Sequence, residues 1–313
     1  MEQNTLVGLF DTHAHPTDER FDEDRTEVLA RMRAGDMLCM CVGSDMASSE
    51  QSLKLARENG EIYAAVGVHP HDAKSFRAED IPTLTRWLTE EPKVKALGEI
   101  GLDYYYDLSP RDVQKEVFVR QLELAYTLKK PVILHIRDAH GDTIDILRAN
   151  KNRLPHCVIH CCSASWESAK VYLFLGCMIS FAGPVTFKRS ANLQEVAKNV
   201  PIESLMIETD SPYLAPEPVR GRRNEPCNVA HICRFIANLR GMDAQELCDI
   251  TRANGKRFYG SVFWVRIYIR DHIETPPRRL NCGGVFYPKK CSIRIFRPMT
   301  IRTSPPKNSA RAL

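Results

Sequence analysis

His13 and His15 close the segment LVGLFDTHAHP, whose apolar run reads as a β-strand. Alternation along a strand points both imidazoles to one face, close enough to share one cation. A lone His-x-His means little. Here, further imidazoles and carboxylates follow later apolar runs: His69 and His71 after IYAAVGV, Glu99 and Asp103 in ALGEIGLD, His135 and Arg137 after PVIL, His160 after CVI, and Asp210 after SLMIET. Strands that are buried and apolar should not end in so many such groups by chance. His135 or His160 alone would read as a hydrogen-bonded core histidine; beside His-x-His, metal ligation is the better reading. Glu99 stands inside an apolar stretch, where a bare charge is too costly to bury, so it must be paired or held by a cation, and it could bridge two. Asp210 could complete one ion's shell and accept a proton from an attacking water. The competing reading of Glu99 and Asp210 is a pair of structural salt bridges. Asp11 and Glu208 have weaker claims, Asp11 as an orienter of a histidine and Glu208 as a strand cap or bridge.

A donor set of histidine and carboxylate without thiolate suits Zn²⁺, Mn²⁺, Co²⁺ or Fe²⁺, or Mg²⁺ where carboxylates dominate. Two divalent ions roughly 3.5–4 Å apart clamp the attacking and leaving oxygens of a displacement at phosphorus. They also lower the pKa of a bound water, so that hydroxide is available near neutral pH. Arg137, Lys188, Arg222, Arg223 and Asn224 follow the fifth, seventh and eighth apolar runs. They could grip phosphates by charge and forked hydrogen bonds. An ordinary solvated loop is the competing reading of RGRRN.

The elements that must position these residues are also legible. Strand candidates are 6–11, 37–43, 62–68, 94–101, 131–136, 157–161, 177–183 and 204–209. They are continuously apolar, as strands covered on both faces should be. Amphipathic stretches lie between them, among them LSPRDVQKEVFVRQLELAYTLKK, with Ser109 as N-cap and Pro110 in the first turn, and SWESAKVYLFLG, closed by Gly176. Eight strands each followed by a helix predict a (β/α)8 TIM barrel over residues 1–260, close to the usual size of about 250 residues. An open doubly wound sheet is the alternative, but it would need a glycine-rich phosphate loop where this chain has DTHAHP.

The net charge of +4 joins two unlike parts. Residues 1–260 hold 32 Lys+Arg against 37 Asp+Glu, a net of −5, whereas residues 261–313 hold 11 against 2, a net of +9. The overall balance therefore says nothing of nucleic-acid binding by the body. Residues 261–313 contain six prolines and no helical period, and read as a basic, non-barrel extension, disordered or off-pattern. A basic binding arm is the other reading. The 11 cysteines form no CxxC pair, and several sit in apolar runs as small buried hydrophobes of a reducing compartment. No apolar run approaches the ~20 residues of a membrane span, and no secretory signal opens the chain, so a cytoplasmic location is expected. Nothing in the sequence calls for an obligate protein partner.

DTHAHPTDERF, VGVHPH, ALGEIGLDYYY, PVILHIRDA, ETDSPYL and RGRRNEP, in this order, together resemble the TatD-like metal-dependent deoxyribonucleases, metallohydrolases related to the amidohydrolases. The resemblance spans residues 6–260. It implies a TIM barrel with a divalent-metal site. By that resemblance His13 and His15 bind one ion with Asp210, Glu99 bridges, His135 and His160 bind the second, and His69 lies against the substrate phosphate. Two departures stand out. The usual HCFSG is here His160-Cys161-Cys162-Ser163-Ala164, and 53 residues follow Gly260, where family members usually end. The expected reaction is metal-dependent hydrolysis of DNA, as a 3'-5' exodeoxyribonuclease on single strands or chain ends, with two Zn²⁺, Mn²⁺ or Mg²⁺ ions. The alternative keeps the site and changes the electrophile to a carbonyl, as in a D-aminoacyl-tRNA deacylase. A third reading, a non-catalytic binder working through the basic tail, leaves the ligand set unexplained. Arg137, Arg222 and Arg223 discriminate between the first two: lining the metal pocket, they favour phosphodiester cleavage.

Overall fold

The computed structural model describes residues 6–260; the basic extension 261–313 lies outside the described residues. Eight strands form one parallel sheet in sequence order: β1 (Phe10–Ala14), β2 (Leu38–Val42), β3 (Ile62–Val66), β4 (Val94–Asp103), β5 (Val132–Arg137), β6 (Cys157–Ile159), β7 (Met178–Phe181) and β8 (Leu205–Ile207). Helices α1 (Arg25–Ala34), α2 (Met46–Glu58), α3 (Asp80–Glu90), α4 (Arg111–Leu128), α5 (His140–Ala149), α6 (Trp166–Phe174), α7 (Ala191–Asn199) and α8 (Val229–Arg240) follow the strands in turn, and α9 (Ala244–Gly260) comes last. This is the expected TIM barrel. Its sheet curls until β1 meets β8. That seam is sewn by Asp210 N to His13 O (2.9 Å), His15 N to Ser211 O (2.7 Å) and Thr12 Oγ1 to Ile207 O (2.9 Å).

Two layers fill the barrel, and period two explains them. Met40, Ala65, Ala96, Ile133, Val158, Met178 and Met206 form a buried apolar cluster with Phe10, Phe258 and Tyr259. Phe258 and Tyr259 belong to α9, which closes that end; Tyr259 lies 5.9 Å from Phe10, ring to ring, and its hydroxyl bonds Thr12 O. Two residues further along the same strand faces stand His135 after Ile133, His160 after Val158, Ser180 after Met178 and Glu208 after Met206. The apolar plug therefore supports a polar layer at the strands' C-terminal ends. Outward faces of the strands pack in a larger core with the helices, Leu97, Leu134 and Ile159 against such residues as Phe118, Leu122 and Leu147.

Two expectations shift in detail. The first strand begins at Phe10, not Leu6, and runs through His13. Gly8 has φ +82°, which breaks the extended run before it can pair. Ser109 does not cap α4. Its hydroxyl donates to His71 O (2.7 Å) and accepts from Lys74 N (3.1 Å), and Pro110 takes the cap position.

At Gly101, β4 runs hard against β5. Gly101 adopts φ +146°, and a Cβ there would lie 2.0 Å from His135 O. Gly101→Ala is expected to destabilise by about 3 kcal/mol, through overpacking and backbone strain. In a domain of this size that lowers Tm by roughly 6–12 °C. Calorimetry showing a Tm within two or so degrees of wild type would mean that β5 moves away freely.

Candidate metal centre

The imidazoles at the barrel mouth reach the centre from the ends of β1, β3, β5 and β6. His13 lies within β1 and is fully buried. His15 lies just past the strand end, where its Nδ1 is held 2.9 Å from Val42 O of β2. The two Nε2 atoms stand 3.2 Å apart. Glu99 enters through a bulge: Leu97 pairs Val132 and Ile100 pairs Leu134, so β4 spends three steps where β5 spends two. Bulges of this kind re-aim a side chain. Gly98, whose Cβ would meet Ile133 at 2.7 Å, lets the bulge sit against β5, and Glu99 N bonds Gly43 O (3.1 Å).

The Glu99 carboxylate is the hub. Oε2 is 3.4 Å from His13 Nε2, and Oε1 is 2.8 Å from His135 Nδ1, 3.4 Å from His160 Nε2 and 3.7 Å from His69 Nε2. Asp210 Oδ1 stands 3.4 Å from His15 Nε2, 3.7 Å from His13 Nε2 and 3.9 Å from His160 Nε2. Three sets of donor atoms are close enough to hold a cation: His13, His160 and Asp210; His13, His15 and Glu99; His69, Glu99 and His135. The structure thus brings together all six expected ligands and adds His69. It groups His160 with His13 and Asp210, whereas the family resemblance pairs His160 with His135.

Charge in the cluster is balanced between these groups. Burial opposes the charge on Glu99, but His160, His13 and His69 outweigh it and hold the carboxylate well below its usual range. Asp210 is lowered in the same way, by His15 and His160 against burial. Burial also disfavours a charged His160, yet Glu208 and Glu99 carry its pKa up to about 10. His15 and His135 are raised against burial, by Asp210 and by Asp103 with Glu99 respectively. Burial pushes His13 and His69 down.

A second ring of groups fixes which nitrogen faces inward. Glu208 Oε1 lies 2.8 Å from His160 Nδ1 and accepts from Cys161 N, while its Oε2 accepts from Ser180 Oγ (2.7 Å). Asp103 Oδ2 lies 2.9 Å from both His135 Nε2 and His71 Nε2. Val42 O does the same for His15. Holding the far nitrogen of an imidazole in this way is what metal-binding histidines require, and the donor set fits divalent cations. Glu208 bridges the residue pair after β6 to β7, as one of its expected readings had it, and also orients His160; Asp103, the acid that closes β4, had no role in the sequence reading. Asp11 does not orient an imidazole. Its carboxyl, pushed up to about 8 by burial, accepts from Thr209 N, Thr209 Oγ1 and His13 N, stitching β1 to β8.

The cluster opens into a cleft of about 1240 Å³ lined by His69, His71, Tyr106, Arg137 and Tyr213 among others. Arg137 faces this cleft as expected; Arg222, Arg223 and Asn224 do not line it. Arg223 is drawn outward by the Asp24 carboxylate (2.7 and 2.6 Å) and Arg20 O (2.7 Å). Asn224 is fully buried, and its amide donates to Thr209 O (3.0 Å) and Tyr213 O (2.7 Å), so it braces the loop after β8.

The model of the family described as TatD related DNase matches residues 10–260. The chain belongs to the TatD-related DNase family. It is 41% identical over 252 residues to the uncharacterized metal-dependent hydrolase YabD of Bacillus subtilis, covering 80% of this chain and 98% of YabD. It is 36% identical over 261 residues to the 3'-5' ssDNA/RNA exonuclease TatD of Escherichia coli, covering 82% of this chain and all (100%) of that one. The crystal structure of YJJV, a TatD homologue from Escherichia coli, superposes with a TM-score of 0.76 at 28% identity, over 81% of this chain and 98% of YJJV. This TatD-family chain is therefore a metal-dependent hydrolase on a TIM barrel. Among its described residues no helix is long and apolar enough to cross a membrane.

Proposed function

We propose that this chain removes nucleotides from the 3' end of single-stranded DNA by hydrolysing the phosphodiester bond with two divalent cations, Zn²⁺, Mn²⁺ or Mg²⁺. The observation that carries the proposal is that Glu99 belongs to two of the three donor sets, so one carboxylate reaches two cation positions. In this reading His13, His15 and Asp210 hold one ion, His135 and His160 the other, and Glu99 both. Bound there, the ions supply Lewis acidity at the phosphoryl oxygen and lower the pKa of water. Asp210, ionised at neutral pH by its histidine neighbours, accepts the proton of the attacking water. His69 and Arg137 contact the phosphates from the wall of the cleft. Residues 1–260 form the catalytic unit, and 261–313 lie outside it. The polarity and the single-strand preference rest on the name of the Escherichia coli relative.

A carbonyl substrate, such as the ester of a D-aminoacyl-tRNA, is the second reading. It is favoured by the absence of Arg222 and Arg223 from the cleft, which leaves Arg137 as the arginine of the expected set that lines it. End-labelled single-stranded DNA decides between them. Metal-stripped protein is assayed with Mg²⁺, Mn²⁺ or Zn²⁺ restored, beside Asp210→Asn. Ladders that shorten from the 3' end, need metal and vanish in the mutant support the nuclease. No cleavage by protein that binds about two ions per chain transfers the proposal to the ester.

A further inference from the structure

Two tyrosines left exposed at the cleft mouth are flanked by arginines. Tyr106 and Tyr213 are 52% and 46% exposed. The Arg137 guanidinium lies 4.7 Å from the Tyr106 ring centroid and 4.1 Å from that of the neighbouring Tyr105. Tyr106 also meets His71 edge-on at 5.3 Å, and its backbone N–H donates to Asp103 Oδ1 (2.8 Å). On the other side, Arg20 lies 4.1 Å from the Tyr213 centroid, and Asp18 both pairs with Arg20 and meets the Tyr213 hydroxyl (3.3 Å). The loops after β4 and β8 carry these two tyrosines, and those strands lie opposite each other in an eight-stranded barrel. The donor cluster lies between them.

The arginine covers part of each ring, and about half of each tyrosine is left open beside the cleft. Every nucleobase offers a π-face, and a guanidinium beside the ring adds cation attraction and positive charge for the phosphate backbone. We infer that Tyr106 with Arg137, and Tyr213 with Arg20, are two nucleobase-stacking walls that receive unpaired bases on either side of the bond to be cut. The position of that bond rests on the nuclease reading above; the stacking does not. Bases within a duplex are already stacked on each other, so the walls select single strands of any sequence.

The probe is a short single-stranded oligonucleotide carrying 2-aminopurine near its 3' end, whose fluorescence falls when the base stacks. It is titrated into full-length protein in excess chelator, so that binding is read without cleavage. Tyr106→Ala and Tyr213→Ala should each weaken binding about tenfold and lose the quenching, with unchanged thermal unfolding. Tyr106→Phe and Tyr213→Phe keep the ring and should bind like wild type. With a 5'-fluorescein strand read by anisotropy, an abasic residue at the probe position should weaken binding to wild type but not to the alanine variants. The inference is overturned if wild type does not quench the probe, if the alanine variants bind as wild type does, or if the abasic strand binds equally well. With metal restored, the same variants should raise KM more than they lower kcat. A wild type that stacks the probe yet cleaves no DNA sinks the nuclease reading and leaves the stacking walls standing.

Discussion

Glu99→Gln is expected to lower hydrolysis of single-stranded DNA by about a thousandfold, the scale of losing a central electrostatic contact in a dry site. Glutamine keeps the shape, so the bulge that places residue 99 persists, but the negative charge is lost. Of the two ions proposed above, one keeps Asp210 as its carboxylate beside His13 and His15, and the other is left with His135 and His160 alone. Neutral nitrogens without a carboxylate hold hard divalent cations poorly. The variant should therefore also bind fewer than two ions at concentrations that saturate wild type. Metal content by atomic spectroscopy and single-turnover cleavage at saturating metal measure the two effects separately. Activity within tenfold of wild type, with full metal content, would remove Glu99 from its shared position.

Metal affinity should rise steeply with pH, by tenfold or more per unit between pH 6 and 8, because ligation displaces protons. In the metal-free centre His160 keeps its proton up to about 10, and His15 and His135 are also raised. Each must lose that proton to bind a cation, and each proton lost adds tenfold per pH unit. The sign for stability follows from the same shifts. A histidine raised from 6.5 to about 10 stabilises the stripped protein fully below pH 6.5, and that contribution is lost as pH rises toward 10. Glu99 and Asp210 are lowered, so their contribution is present above the ordinary carboxylate range and lost as pH falls through their folded values. Metal-loaded protein is freed from the first of these losses. Calorimetric titrations in buffers of different ionisation enthalpy report the protons released. An affinity that stays flat from pH 6 to 8 would show that the histidines are already unprotonated.

The barrel and most of the candidate ligands were legible in the sequence because both rest on local physics. Eight continuously apolar runs declare strands covered on both faces, and an imidazole or carboxylate placed two residues beyond a buried side chain must share its face. His135 after Ile133 and His160 after Val158 need no partner to be read this way. Local physics also misleads where pairing decides. Leu6 to Leu9 are apolar, yet the strand begins at Phe10, because a strand exists only where its neighbour accepts its hydrogen bonds.

What only the tertiary structure decided is which group each charge meets. RGRRN reads as a phosphate grip, but Arg223 is claimed by Asp24, 199 residues away in sequence, and Asn224 by carbonyls of its own loop. Glu99 is aimed by a register difference between two strands, and Asp103 and Glu208 acquire roles only once His135 and His160 are beside them. Residue type and spacing determine which chemistry a chain can carry. Coulomb and hydrogen-bond energies depend on distances of a few ångströms between residues far apart in sequence, so the partner, the protonation state and the direction of each group are set when the sheet closes.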